Sequence, residues 1–212
     1  MLAAILVTGS ASANAEVITI ALTAEIDEVY DPCDHLEGAI NVSDIITGRY
    51  IYDSDAPLID TSAWYNVYEH SEAPYGMFLE AEGFQFETDI ENVNSPIGVG
   101  NNNPGEGPDL FTVGSSDNLS LSNGINVGWM EWLLQDSSGT AISTADIPLT
   151  APILNAWYYN TLMISEDIGF FPADGYIIEA HVTSAVLVPE PATIFLLGVG
   201  GMGLVRKIRQ TP

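Results

Sequence analysis

Short runs of β-branched and aromatic residues, separated by turn sequences, make up most of the chain between Glu16 and Val188. Such runs favour strands, and clusters of Gly, Pro, Asn and Asp favour turns. Because no long helices alternate with these runs, we expect an all-β fold: a single antiparallel β-sandwich of jelly-roll type, spanning residues 16–187. The predicted strands are 17–23, 45–52, 77–82, 84–88, 110–113, 126–134 and 176–188, with an exposed loop at 94–108 and one short helix at 152–163.

The C-terminal end has three consecutive parts: a Pro-Glu-Pro motif, an apolar segment that contains one threonine, and a basic cluster. The order and position of these parts closely resemble the PEP-CTERM sorting signal, here covering residues 188–209. The resemblance implies export, transient retention in the inner membrane and processing by an exosortase, in a Gram-negative bacterium that makes exopolysaccharide. The matching residues are Pro189, Glu190 and Pro191 in the motif, 192–205 in the membrane helix, and Arg206, Lys207 and Arg209 in the basic stop cluster.

The length of the apolar segment is compatible with a thin membrane span. As a helix rising about 1.5 Å per residue, 192–205 reaches roughly 21 Å, short of a hydrocarbon core of ~30 Å. It can span by including its flanks, with the basic side chains extending to the interface. Those basic residues would stay in the cytoplasm and the preceding domain would lie outside. A buried C-terminal helix of a soluble fold is the alternative, but it should carry a polar face.

The N-terminal end has features of a secretory signal. Residues 2–7 form a short apolar run, and Ala13-Asn-Ala15 fits the small-residue pattern recognised by signal peptidase. We therefore expect residues 1–15 to be a signal peptide and the mature chain to begin at Glu16. The usual basic region before the apolar run is missing, so the true start codon is expected upstream. The alternative is that the apolar run forms a buried first strand.

The exported domain is strongly acidic. The chain has 29 Asp and Glu against 4 Lys and Arg. Leaving out Glu190 and the three basic residues of the tail gives 28 acids against Arg49 alone between residues 16 and 188, a net charge of −27. Such a field repels nucleic acid, which excludes nucleic-acid binding. Solubility is one use of this acidity, and calcium binding by clustered carboxylates is another.

Neither acidic cluster has the spacing of a known calcium loop, so we predict no named metal ligands and no cofactor, and we leave structural calcium open. His35, His70 and His181 have no spacing typical of zinc ligands. Cys33 has no partner for an internal disulfide, so it is either a passive side chain or able to pair between chains. The clusters are Asp27, Glu28, Asp31 and Asp34, and then Asp53, Asp55 and Asp60.

No motif of a nucleophilic, metal-dependent or nucleotide-binding enzyme is present, so we predict a non-enzymatic protein. Paired carboxylates for glycoside hydrolysis stay possible, because the many acids supply pairs whose separation the sequence does not give. An extracellular hydrolase acting on matrix polysaccharide is therefore the alternative function.

Aromatic clusters favour a binding role. Flat rings can stack on sugar faces, although large aromatics also supply much of a β-sandwich core. We assign Trp129 and Trp132 to the core. The clusters expected near turns are Trp64, Tyr65, Tyr68 and Tyr75, and Trp157, Tyr158 and Tyr159.

The sequence therefore predicts an envelope or extracellular-matrix protein that is structural or associated with exopolysaccharide. Its expected partners are signal peptidase, exosortase, exopolysaccharide and, before processing, the inner membrane. Its expected location is the cell surface or matrix.

Overall fold

The computed structural model describes residues 16–62, 64–101, 108–167 and 174–189. Within these residues the chain forms eleven strands and one short 3-10 turn, Leu154–Ala156. The strands are β1 Val17–Tyr30, β2 Ile45–Asp53, β3 Leu58–Thr61, β4 Tyr65–His70, β5 Gly76–Ala81, β6 Phe84–Glu87, β7 Ser95–Gly100, β8 Asp109–Ser115, β9 Trp129–Asp136, β10 Tyr159–Ser165 and β11 Ile177–Leu187.

All eleven strands belong to one antiparallel sheet, in the order β3-β4-β7-β8-β9-β10-β11-β1-β2-β5-β6. The prediction of an antiparallel all-β domain is confirmed, but the two-sheet jelly-roll sandwich is replaced by one continuous sheet. The reason lies in β1, which is 14 residues long and pairs with both β11 and β2. Its register with β11 shifts between Thr23 and Ala24 and again between Ile26 and Glu28. Such bulges bend and twist a strand, so the sheet can curl without dividing.

The curl brings distant strands together around the core. Tyr50 of β2 and Trp132 of β9 are separated by three strands in the sheet, yet their ring centroids lie 5.9 Å apart. Beyond the strands, Thr88 forms an isolated bridge with Asn118. Side chains alternate between buried and partly exposed along β9 and the first part of β1. The sheet therefore has a concave face that encloses the core and a convex face in contact with solvent.

Two local predictions are wrong. The predicted loop at 94–108 contains β7, which pairs with β4 and β8 and buries Ile97 and Val99 in the core. The predicted helix at 152–163 is a single 3-10 turn followed by β10, whose Leu162 and Ile164 face the core and whose neighbours are β9 and β11. Pairing with strands distant in sequence outweighed local composition in both segments.

In addition to β7 and β10, strands β3 and β4 were not predicted, whereas each predicted strand overlaps an observed one. The predicted signal segment 1–15 and membrane helix 192–205 lie outside the described residues. In the part of the chain that the structure describes, no helix has the length and apolar character needed to cross a membrane.

Candidate functional site

The end of β11 is where the folded domain meets the predicted sorting motif. Leu187 pairs with Ile20 of β1, and the Val188 N–H donates a hydrogen bond to the Thr19 carbonyl at 2.8 Å. Pro189, the first residue of the motif, follows directly and is exposed. The sheet therefore continues to the residue before the motif, with no spacer between them.

Of the predicted sorting and cleavage residues, Pro189 alone lies in the described part of the chain. The others lie outside it: Glu190, Pro191, Arg206, Lys207, Arg209, Ala13 and Ala15.

Both ends of the described chain leave the sheet at the same side. Because β1 and β11 are antiparallel, the start of β1 lies beside the end of β11. Glu16 is held there by two hydrogen bonds, from its N–H to Ser54 Oγ and from the Ser54 N–H to its carbonyl, both at 3.1 Å. The predicted N-terminal and C-terminal membrane-directed segments thus connect to one end of the domain.

The strand end beside the motif is apolar and exposed. Val186, Leu187 and Val188 are 56%, 40% and 43% exposed, although earlier residues of β11 such as Ile178 are fully buried. The core therefore ends before the strand does, and the last residues of β11 are held mainly by their backbone pairing with β1.

The first acidic cluster serves the loop after β1. The Asp31 carboxylate accepts hydrogen bonds from the backbone N–H groups of His35 and Leu36, at 2.9 and 2.8 Å. Asp27 lies on the convex face, 2.8 Å from His181 Nδ1. These carboxylates stabilise local structure and contact a histidine.

The second acidic cluster is also used locally. Asp53 accepts hydrogen bonds from the Asp55 N–H and the Tyr75 hydroxyl, both at 2.8 Å. Asp60 accepts one from the Thr61 N–H at 2.8 Å. Among the described residues, no group of three or more His, Cys, Asp or Glu side chains is placed to hold a metal ion.

His70 is buried at the end of β4, on the concave face. Its Nε2 accepts a hydrogen bond from the Asp53 N–H at 3.0 Å, and its ring stacks on Tyr75 with centroids 4.0 Å apart. Burial lowers the pKa of His70, with the Asp53 charge opposing this. Burial and the hydrogen bond to Asp53 raise the pKa of Tyr75 to about 12. The direction of both shifts favours the neutral forms of His70 and Tyr75, which pack beside the Asp53 carboxylate.

A polar cleft that the sequence did not reveal lies beside the C-terminal end of β10. It has a volume of about 480 Å³ and is lined by residues that include Asp89, Asp117, Asn126 and Glu166. Glu166 Oε2 lies 2.6 Å from His35 Nδ1. The cleft is assembled from segments far apart in the chain, so no local motif could have identified it.

The predicted aromatic clusters divide between the two faces. Trp132 is fully buried and donates from Nε1 to Asn160 Oδ1 at 2.8 Å, which confirms its assignment to the core. Tyr68 packs against the core, and its hydroxyl donates to the Ala145 carbonyl at 3.0 Å. Trp157 is buried, and these three rings are therefore used in packing.

The remaining rings reach the surface. Tyr158 is 88% exposed. Trp64 and Tyr65 are partly exposed neighbours with ring centroids 5.5 Å apart. Trp129 lies on the convex face, over Gly114, so its assignment to the core is wrong. Alternation along β9 is the reason, since Trp129 and Trp132 have opposite phases and only one of them can face the core.

Residues 187–210 match the family model described as PEP-CTERM protein-sorting motif. The resemblance seen in the sequence is confirmed, and the matched region overlaps the last residue of β11. The motif indicates an exported exosortase substrate, located at the cell surface or outside the cell. Searches of curated proteins and of solved structures gave no match.

Proposed function

We propose that this chain is a non-enzymatic envelope or matrix protein, which exosortase separates from its membrane segment and which then associates with exopolysaccharide. One observation carries the proposal. The Pro-Glu-Pro part of the sorting motif begins at Pro189, one residue after the Val188 N–H, which donates to β1. The domain is therefore the part to be delivered, and the motif marks where it ends.

The short distance from strand to apolar segment supports delivery at a membrane. Residues 189–191 separate Val188 from that segment, and three residues span at most about 11 Å when fully extended. Before processing, the end of the sheet would lie close to the membrane surface. The exposed apolar residues of that end, Val186, Leu187 and Val188, suit such a position.

The position of Glu16 supports the same orientation. It lies at the end of the sheet from which Pro189 leaves. A signal segment before Glu16 and a membrane helix after Pro191 could therefore both reach one membrane while the domain folds on its outer side.

Processing is tested in the native host with the double variant Glu190→Ala and Pro191→Ala. We expect this variant to keep the membrane segment and to stay in the membrane fraction, because the motif read by exosortase is lost. Thr183→Ala, on the exposed face of β11, is the matched control and should be processed normally. An unchanged mature mass of the double variant would refute the sorting proposal.

The hydrolase alternative is tested with the mature protein and exopolysaccharide from the same host. The polar cleft supplies the carboxylates to examine, and Glu166 is the first because it contacts His35. We expect no release of reducing sugar by the wild-type protein. If the wild-type protein released reducing sugar and Glu166→Gln abolished that release, hydrolysis would replace the non-enzymatic proposal.

A further inference from the structure

Three glycines lie on the convex face of two neighbouring strands, at positions where a strand normally carries a side chain. Gly98 and Gly100 belong to β7, and Gly114 belongs to β8. Their neighbours Ile97, Val99 and Val113 face the core, which places the glycines on the opposite face. Glycine weakens a strand interior, and it often marks a place where another group approaches the backbone closely.

Part of an aromatic side chain lies over each of these glycines. A Cβ atom at Gly100 would lie 3.1 Å from the Trp64 ring, and one at Gly114 would lie 3.0 Å from the Trp129 ring. A Cβ atom at Gly98 would collide with the Tyr65 hydroxyl. The glycines therefore allow Trp64, Tyr65 and Trp129 to lie against bare backbone. The outer edges of the Trp64 and Trp129 rings and the hydroxyl end of Tyr65 contact the sheet there, and all three side chains stay partly exposed.

A carboxylate lies among these rings. Glu131 of β9 accepts a hydrogen bond from Thr112 Oγ1 at 2.8 Å, and its other oxygen lies 3.5 Å from Trp129 Nε1. The Thr112 methyl group and the Tyr65 hydroxyl both lie over Gly98. Burial, and then the Glu131 charge, raise the pKa of Tyr65, in agreement with their proximity. Glu131 and Thr112 thus lie between the Trp64–Tyr65 pair and Trp129.

We propose that Trp64, Tyr65 and Trp129, with Glu131 and Thr112 between them, form a binding platform for an uncharged polysaccharide. This inference rests on the proposed function and assigns its ligand-binding surface. Sugar rings have apolar C–H faces that stack on aromatic rings, and their hydroxyl groups can donate to the Glu131 carboxylate. Trp64 and Tyr65 are adjacent, with centroids 5.5 Å apart, so neighbouring sugar units of one chain can contact both.

The charge of the domain favours an uncharged ligand. Between residues 16 and 188 Arg49 is the single Lys or Arg, and the net charge there, with His neutral, is −27. Arg49 belongs to β2 and lies over the Phe78 ring, 5.1 Å from its centroid, whereas the platform spans β4 to β9. An acidic polymer would meet Glu131 and the surrounding negative field without a compensating cation.

The test is co-sedimentation of mature protein, purified from the native host, with polysaccharide. The probes are exopolysaccharide from that host, insoluble cellulose and chitin as uncharged polymers, and immobilised polygalacturonate as an acidic polymer. We expect binding to host exopolysaccharide and to at least one uncharged probe, and none to polygalacturonate. No binding to any uncharged probe, or binding to polygalacturonate alone, would overturn the proposal.

Variants locate the binding surface. Trp64→Ala and Trp129→Ala should each weaken binding by tenfold or more, and Tyr158→Ala, which removes an exposed ring outside the platform, should leave it unchanged. Glu131→Gln keeps the side-chain shape and should weaken binding several-fold, which provides a test if an alanine variant fails to fold. Unchanged binding by Glu131→Gln together with either folded alanine variant contradicts the platform. Correct processing of a protein that does not bind would reject the platform alone and leave the sorting proposal intact.

Discussion

The two faces of the sheet carry similar sets of aromatic residues and use them differently. On the concave face, Tyr50 packs against Tyr52 and Trp132 at 5.1 and 5.9 Å between centroids, and all three side chains are buried. On the convex face, Trp64 and Trp129 lie over glycines and keep part of their surface exposed.

The residue beneath an aromatic ring helps to decide the role of that ring. On the concave face the rings interlock with other large side chains, which excludes water and stabilises the curl. On the convex face the rings meet bare backbone, so they contribute less buried area and remain open to a ligand. Composition alone does not separate these two uses.

The largest expected difference between the faces is in stability. Trp132→Ala should lower the free energy of unfolding by about 3–5 kcal/mol, because it empties a packed core and removes the partner of Asn160. Trp129→Ala should cost less than half as much, since its ring is buried on one side only. Urea unfolding of both variants measures this difference. Equal losses would mean that the convex face is part of the core.

The glycine layer gives the next largest effect. Gly98→Ala should destabilise the protein by about 1–3 kcal/mol, because the new methyl group collides with the Tyr65 hydroxyl and the Thr112 methyl group. Adding Tyr65→Ala should recover part of this loss, which a double-mutant cycle in urea would quantify. If Gly98→Ala were neutral, the ring would not lie against the backbone.

Two tyrosines of the concave face should respond oppositely to loss of their hydroxyl groups. Tyr52→Phe should cost about 1 kcal/mol, because the Tyr52 hydroxyl donates to the Pro148 carbonyl at 2.5 Å. Tyr50→Phe should be neutral or stabilising by about 1 kcal/mol, because the buried Tyr50 hydroxyl has no hydrogen-bond partner among the described residues. Thermal unfolding of the pair compares them directly, and a larger loss at Tyr50 would contradict this packing.

The smallest effect concerns pH and the buried histidine of the concave face. Because the pKa of His70 is lowered from 6.5 by burial, the unfolded chain takes up a proton first as the pH falls. The His70 contribution to stability is therefore complete above pH 6.5 and declines below it, since protonation removes the acceptor for the Asp53 N–H.

His70→Gln should flatten this decline between pH 7.5 and 5.5, measured by urea unfolding at each pH. Thr183→Ala on the exposed face of β11 is the control, because it removes no titratable group, and it should retain the decline. A decline that persists unchanged in His70→Gln would assign it to other groups.

The sequence predicted those features that depend on short segments. The β-branched run at the start of β1 and the three-part C-terminal signal are local patterns, so the all-β class and the sorting motif could be recognised. The length of β1 beyond residue 23, and the single curled sheet that it allows, depend on pairing with β11 at the far end of the chain. Local patterns contain no such information.

The candidate platform could not be predicted from the sequence for the same reason, because its residues come from segments that are far apart in the chain. The presence of Gly98 and Gly100 indicated a loop, because glycine is unfavourable in strands. Trp64 and Tyr65 lie over that backbone from the start of β4, which pairs with β7. The phase of Trp129 could have been recognised from the alternation of β9, since Met130, Trp132 and Leu134 are the buried positions of that strand. The glycine beneath Trp129 could not be recognised from the sequence, because Gly114 belongs to the neighbouring strand β8.

The most direct test of the account is the intact mass of the wild-type protein recovered from the surface or medium of its native host. We predict a mature chain that begins at Glu16 and ends between Val188 and Ala192, where β11 meets the sorting motif. A mature mass that still includes the apolar segment 192–205 and the basic cluster would contradict it.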